Sequence, residues 1–242
     1  MKRWKKIVAI CICVILECGI GCGIYISDYY HAQEEAVKSM QMKEAEVKAI
    51  EIEGEQIIFA PDDPKAGLIF YPGGKVEAES YAPLLAALAR EGILTVLVPM
   101  PAKLAVLDSD AAEGVVEHYD EIEEWYMAGH SLGGSMAAAY LKKNKEAYEG
   151  LILLGSYSTA DFSESDLSVL SIYGSEDGVM NHEKYEKNKK NLPGDFTEFV
   201  IDGGCHAGFG MYGTQDGEGT PTISGAEQID TTAEVIEKFL SR

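Results

Sequence analysis

The sequence predicts an α/β domain in which a mostly parallel central sheet is flanked by helices. Three observations predict it. Continuous apolar runs at 66–71, 93–98, 151–154 and 167–173 read as strands buried on both faces, and stretches between them carry helical spacing of apolar residues. Glycine, proline and short polar clusters punctuate the alternation. At 242 residues the chain holds one well-filled α/β domain with little room for a second.

The elements follow in order. Residues 1–6 read Met-Lys-Arg-Trp-Lys-Lys, and an apolar run occupies 7–26. At about 1.5 Å per helical residue that run spans a bilayer. Glu17 is its awkward member, because a carboxylate near mid-membrane costs a few kcal/mol. No Ala-x-Ala-like site ends the run, so an anchor is expected over a cleaved signal. The four basic residues ahead of it predict a cytoplasmic N-terminus, hence a single-pass membrane protein with its catalytic domain outside the cytoplasm; the alternative is secretion after signal cleavage. Residues 27–48, rich in Glu, Lys, Ala, Met and Gln, read as a stalk or linker helix, and the domain proper as 49–242. Within it, 49–53 and 56–60 read as an edge hairpin turning at Gly54, then strand 66–71, helix 80–90 closed by Gly92, and strand 93–98. A helix is expected at 108–119, capped by Asp108 or Ser109, then strand 125–128, helix 131–145, strands 151–154 and 167–173, helix 181–190, strand 196–201 and a closing helix 226–240.

Acidic residues outnumber basic ones 40 to 20, giving a formal charge of -20. That balance excludes nucleic acid as a main partner, since a phosphate backbone requires clustered Lys and Arg. Cys11, Cys13, Cys18 and Cys22 all lie in the apolar run and leave Cys205 alone in the domain, so no intradomain disulfide forms. An apolar helix spreads its thiols around its surface, and no metal site is expected there.

The chemistry concentrates in loops that follow strands. Gly129-His130-Ser131-Leu132-Gly133 lies between an apolar strand and an Ala-rich helix. Small residues around Ser131 allow a sharp strand-to-helix turn that lifts the hydroxyl off the sheet. A serine hydroxyl needs a base to attack an acyl carbon at neutral pH. Of the five histidines, His31 belongs to the stalk, His118 to a surface helix, and His130 to the turn itself, where it packs within the loop. His206, in the glycine-rich loop after the last strand, is the candidate base. Asp177, directly after strand 167–173, is the candidate orienter of that imidazole, with Glu176, Asp202 and Asp216 as rivals. The Gly pair in Tyr71-Pro72-Gly73-Gly74-Lys75 frees backbone N–H groups of Gly74 and Lys75 for a developing oxyanion, with the N–H of Leu132 as the other donor. A phosphate-binding reading of those glycines fails, because no Lys-Ser/Thr pair follows them. Met100 and Leu104 on one loop, and Phe209 and Met211 beside His206, are candidates to line a substrate pocket. The link between 154 and 167 leaves no room for a large cap, which predicts a shallow site.

Taken together, the Tyr-Pro-Gly-Gly-Lys-Val string, the serine turn, Gly-Ser-Glu-Asp-Gly and Gly-Gly-Cys-His-Ala-Gly-Phe-Gly resemble the α/β-hydrolase superfamily over residues 57–240. The set is most similar to its small bacterial branch related to dienelactone-hydrolase-type esterases. The resemblance implies the α/β-hydrolase fold with minimal or no cap domain and no cofactor. It also implies Ser131, Asp177 and His206 as a triad and the Gly74–Lys75 region with Leu132 as the oxyanion hole. The expected activity is hydrolysis of a small or exposed carboxylic ester through an acyl-enzyme. Peptidase, thioesterase or acyltransferase chemistry on the same triad, and a non-catalytic surface binding protein, are the alternatives. The nucleophile position holds serine where dienelactone hydrolases hold cysteine, and Cys205 has no counterpart role, either packing beside His206 or presenting an exposed thiol.

Overall fold

The strands are β1 (Val47–Glu53), β2 (Gln56–Pro61), β3 (Ala66–Tyr71), β4 (Ile93–Leu97), β5 (Trp125–His130), β6 (Gly150–Leu154), β7 (Ser168–Gly174) and β8 (Thr197–Ile201). In the computed structural model, which describes residues 2–40, 47–53 and 56–242, they form one sheet ordered β1-β2-β4-β3-β5-β6-β7-β8. The β1–β2 and β2–β4 pairs are antiparallel and all others parallel. The hairpin expected at the sheet edge is therefore present, although its turn at Gly54 lies outside the described residues.

Every residue of β3, β4, β5 and β6 is buried, as continuous apolarity requires of strands covered on both faces. Alternation divides them between two cores: Leu68 and Phe70 of β3 face one, Ile69 and Tyr71 the other. Helices α3 (Ala82–Arg90) and α7 (Gly225–Leu240) close the first core with Leu84, Leu88, Ile229 and Ile236. Helix α5 (Leu132–Asn144) closes the second with Ala137, Ala138 and Leu141, small residues that let it lie close to the sheet. Each fully buried Leu, Ile or Phe contributes roughly 1.5–3 kcal/mol. Strand β8 sits at the edge and leaves Phe199 and Val200 exposed.

Two expectations change. The helix expected at 108–119 shrinks to one turn, α4 (Val115–His118), preceded by Gly114 at φ 82, and neither Asp108 nor Ser109 caps it. The cause is tertiary: Tyr71 Oη donates to the Ser109 carbonyl at 3.0 Å and accepts from the Ala112 N–H at 2.9 Å, which holds 109–112 as a loop. The stretch 27–48, read as a stalk, lies against the domain as far as residue 40. Tyr30 pairs in parallel with Val76, and the short helix α2 (Glu34–Ser39) buries Ala36. Residues 41–46 lie outside the described residues.

Helix α1 (Lys2–Ser27) contains an 18-residue window, Ile10–Ser27, with mean hydropathy 2.1 and none of it buried, long and apolar enough to cross a bilayer. A signal sequence passes the same test of length and composition. The remaining helix is α6 (His182–Asn188), whose N-cap Asn181 accepts the Lys184 N–H at 2.8 Å. Residues 155–167 join β6 to β7 without a helix, so that link carries no cap domain.

Candidate active site

The candidate residues converge at the carboxyl ends of β5, β6, β7 and β8, where parallel sheets carry their chemistry. Ser131 follows β5 at φ 53, ψ −121, a left-handed turn that a serine adopts only under constraint. The constraint comes from both sides: its N–H donates to the Leu154 carbonyl at 2.9 Å, and its carbonyl accepts the Ser156 hydroxyl at 2.7 Å. Gly133 permits the approach, because a Cβ there would lie 2.2 Å from the Tyr71 carbonyl oxygen and 2.3 Å from that of Pro72.

Asp177 and His206 are both buried, and Asp177 Oδ2 accepts from His206 Nδ1 at 2.8 Å. The other carboxylate oxygen accepts the N–H groups of Val179 and Met180 at 3.0 and 2.8 Å, which fixes the carboxylate plane. Glu176, Asp202 and Asp216 make no contact with the imidazole among the described residues, so Asp177 is the carboxylate on that ring. With Nδ1 bonded to Asp177, His206 Nε2 is buried and has no hydrogen-bond partner among the described residues. The structure thus joins Asp177 to His206 but does not close a hydrogen bond from the Ser131 hydroxyl to Nε2. Such bonds are often loose until substrate binds. The serine turn is nonetheless adjacent: the ring of His130, the residue before Ser131, lies 4.4 Å from that of His206. Gly155, next after the carbonyl that holds Ser131, has φ +50 and would place a Cβ 2.9 Å from His206 Nδ1.

His130 packs within the turn as expected, yet it also forms one wall of the His206 site. Tyr81 Oη accepts the Gly73 N–H at 3.0 Å and is hydrogen-bonded to His130 Nδ1 at 2.7 Å. Burial, reinforced by the neighbouring His206, holds the His130 pKa well below the usual histidine range. His130 is therefore neutral and adds no charge beside His206.

The loop expected to supply oxyanion donors offers fewer of them than expected. Lys75, at φ 60, donates its N–H to the Lys103 carbonyl at 2.8 Å and cannot offer it to a substrate. The N–H groups of Gly74 and Leu132 remain: Gly74 takes part in none of the loop's hydrogen bonds, and Leu132 opens α5, where no carbonyl one turn back exists to bond it. The two residues touch, since a Cβ on Gly74 would lie 2.9 Å from Leu132 Cδ2. The Lys75 side chain points away and pairs with Asp28 at 2.7 Å.

Among the pocket candidates, Phe209 is corrected. It is fully buried in the core, 5.5 Å from the His130 ring, and supports the site instead of lining it. Met100 is also mostly buried, and borders a small cleft of about 180 Å³ between 76–79 and 99–103. Leu104 and Met211 are half-buried. A concavity of about 840 Å³ lies at the other end of the sheet, around Lys65, Glu124, Ser168 and Arg242.

Two supporting residues escape sequence reasoning. Gln228 of α7 is buried and grips the peptide groups of Cys205, with Oε1 accepting its N–H at 2.9 Å and Nε2 donating to its carbonyl at 2.7 Å. Glu218 accepts the N–H groups of His206 and Ala207 at 2.5 and 2.8 Å, while burial pushes its carboxyl pKa up against the pull of those bonds. The flanking Gly217 and Gly219 were the available signal for Glu218; Gln228 has none. Cys205 is buried instead of exposed, and burial together with the Glu218 charge raises its thiol pKa, which leaves it an inert packing residue.

The fold is shared with solved structures, hydrolases among them. Dienelactone hydrolase from Anabaena variabilis superposes with TM-score 0.57 at 14% identity, covering 81% of this chain and 95% of its own. A thermophilic esterase from Thermogutta terrifontis gives 0.55 at 12%, covering 83% and 98%, and TT1662 from Thermus thermophilus 0.55 at 18%, covering 77% and 92%. No curated protein sequence matches the chain. The model of the alpha/beta hydrolase family matches residues 67–230, well over half of the chain. That span runs from β3 into α7 and contains the serine turn, the Asp177–His206 pair and both free N–H groups: this chain belongs to the alpha/beta hydrolase family.

Proposed function

We propose that the protein is a serine hydrolase that cleaves a carboxylic ester through an acyl-enzyme. The observation that carries this reading is His206, tied at Nδ1 to a buried carboxylate while Nε2 is buried, unpartnered and beside the serine turn. An imidazole so held is a base with one direction left in which to act.

In this reading Ser131 Oγ attacks the ester carbonyl carbon as its proton passes to His206 Nε2. Asp177 stabilises the imidazolium that forms. The carbonyl oxygen, now carrying the negative charge, lies toward the N–H groups of Gly74 and Leu132. Collapse of the tetrahedral species breaks the bond to the alcohol oxygen, which leaves with the proton from Nε2. Water then gives a proton to Nε2 and adds to the acyl carbon, and a second collapse releases the acid and restores Ser131. Neutral His130 at 4.4 Å favours this cycle, since a charged neighbour would oppose formation of the imidazolium. Helix α1 serves as the anchor of a domain facing away from the cytoplasm.

The test is Ser131→Ala. Covalent labelling by a fluorophosphonate disappears and turnover of an activated short-chain ester falls by several orders of magnitude, on the order of 10⁶-fold if serine proteases are a guide. Hydrolysis retained by Ser131→Ala overturns the nucleophile assignment. Parallel assays with the matching amide and thioester separate the esterase reading from the peptidase and thioesterase ones.

A further inference from the structure

The end of α1 and the rim of the site are joined with almost no slack. Helix α1 ends at Ser27, and three residues later the Tyr30 N–H donates to the Lys75 carbonyl at 2.7 Å, inside the oxyanion loop. Three extended residues reach at most about 11 Å. Side chains tighten the junction: Lys75 Nζ lies 2.7 Å from Asp28 and 4.7 Å from the Tyr25 ring centroid, and Lys103 Nζ lies 3.7 Å from that of Tyr29. The same strap reaches the histidine loop, where the Gln33 N–H donates to the Met211 carbonyl at 2.8 Å and Tyr30 Oη accepts from Asp216 at 3.3 Å.

Trp4 and the tyrosines 25, 29 and 30 bracket the apolar run of α1, and the helical rise from Trp4 to Tyr25 is about 30 Å, the thickness of a hydrocarbon core. Aromatic residues of that kind settle at the two membrane–water interfaces. The site rim beside Tyr25 and Tyr29 is then at the interface as well. On that rim, just past Lys103, Val106 and Leu107 are each 58% exposed on a short 3-10 turn, Ala105–Leu107.

From these contacts, and resting on the serine-hydrolase reading above, we propose that the substrate is a bilayer-resident acyl ester. It passes from the outer leaflet to Ser131 across the rim formed by 101–107, with Val106 and Leu107 dipping into the lipid. Hydrolysis consumes one water and returns the fatty acid and the alcohol to the interface. A capless site suits such a substrate, because the bilayer supplies the apolar cover that a cap would otherwise provide.

The experiment uses the full chain reconstituted into phosphatidylcholine vesicles and two esters with the same chromogenic leaving group, one short and water-soluble, one a long-chain ester held in the bilayer. The long-chain ester is hydrolysed at a rate that falls when inert lipid dilutes it at fixed total concentration. The double substitution Val106→Ser with Leu107→Ser lowers that rate about tenfold, through lost partitioning of two apolar side chains, and leaves the soluble ester unaffected. Hydrolysis of the soluble ester alone, a rate indifferent to surface dilution, or an equal loss on both esters overturns the proposal while the hydrolase reading stands. If neither ester is cleaved and Ser131 takes no fluorophosphonate label, the hydrolase reading itself falls. Leu107→Trp gives a readout free of chemistry: its added fluorescence, above that of Trp4 and Trp125, is quenched by brominated lipid when the rim dips, and absence of that quenching also overturns the proposal.

Discussion

Asp177 and His206 meet at 2.8 Å in a setting from which water is almost wholly excluded, and the second oxygen of the same carboxylate is tied to two backbone N–H groups. Asp177→Asn keeps the shape but offers an amide where the ring N–H needs an acceptor. Its kcat for a short-chain ester falls by about 10³–10⁴-fold, in line with the same change in a serine protease. Glu176→Gln, one residue away with its carboxylate off the ring, changes kcat less than about twofold; matched steady-state assays of the two variants check both outcomes.

Gly133→Ala drives a Cβ to 2.2 Å from the Tyr71 carbonyl oxygen, and that oxygen belongs to a central strand that cannot swing away. The variant loses about 3 kcal/mol or more of stability in urea unfolding. Gly194→Ala, where a Cβ meets open space, stays within about 0.5 kcal/mol of the parent.

Gln228→Leu leaves the buried N–H and carbonyl of Cys205 without partners and frees the residue that precedes His206. Denaturant unfolding shows a loss of about 2–6 kcal/mol, at about 1–3 kcal/mol for each of the two unpaired groups. Because the side chain is remote from any substrate, kcat falls while KM is nearly unchanged, and Gln228→Glu at a pH that protonates the new carboxyl recovers part of the loss.

His130 gives the fold an acid-sensitive element. Its folded pKa lies well below the unfolded value of 6.5, so the unfolded chain binds a proton in a range where the folded chain does not. Stability from this residue is complete above pH 6.5 and is lost as pH falls from there through the folded pKa. His130→Gln keeps an amide near Tyr81 without titrating, and the slope of stability against pH below 6.5 becomes shallower in thermal melts across that range.

The strands were legible wherever one physical requirement dominated. Runs such as Leu-Ile-Phe-Tyr in β3 and Leu-Ile-Leu-Leu in β6 fit only a sheet covered on both sides. Residues 108–119 misled because their helix competes with the hydroxyl of Tyr71, a partner thirty-eight positions away that local spacing does not register. Lys75 misled for a related reason: its N–H is claimed by Lys103, in a turn where Ala102 and Lys103 adopt left-handed conformations that no glycine announces. The loop sequence around His206 pointed toward Asp177 through its place after a strand, and the 2.8 Å contact follows from that placement. Gln228 and Glu218, which shape the same loop from outside, stayed hidden because a lone polar residue on a helix or in a turn reads as solvated surface until its buried partners are known.

The strap that begins at Asp28 sets what a cut between helix α1 and the domain leaves behind. A protease cutting on the helix side of Asp28 releases a domain whose two candidate-site loops are still stitched together by Tyr30 and Gln33. A cut after Gln33 instead removes the stitches along with helix α1, and Lys75, Glu77 and Met211 lose their bonds to the departing peptide. A few positions of difference at the cleavage point thus decide whether the loops at 73–77 and 206–216 keep their common brace.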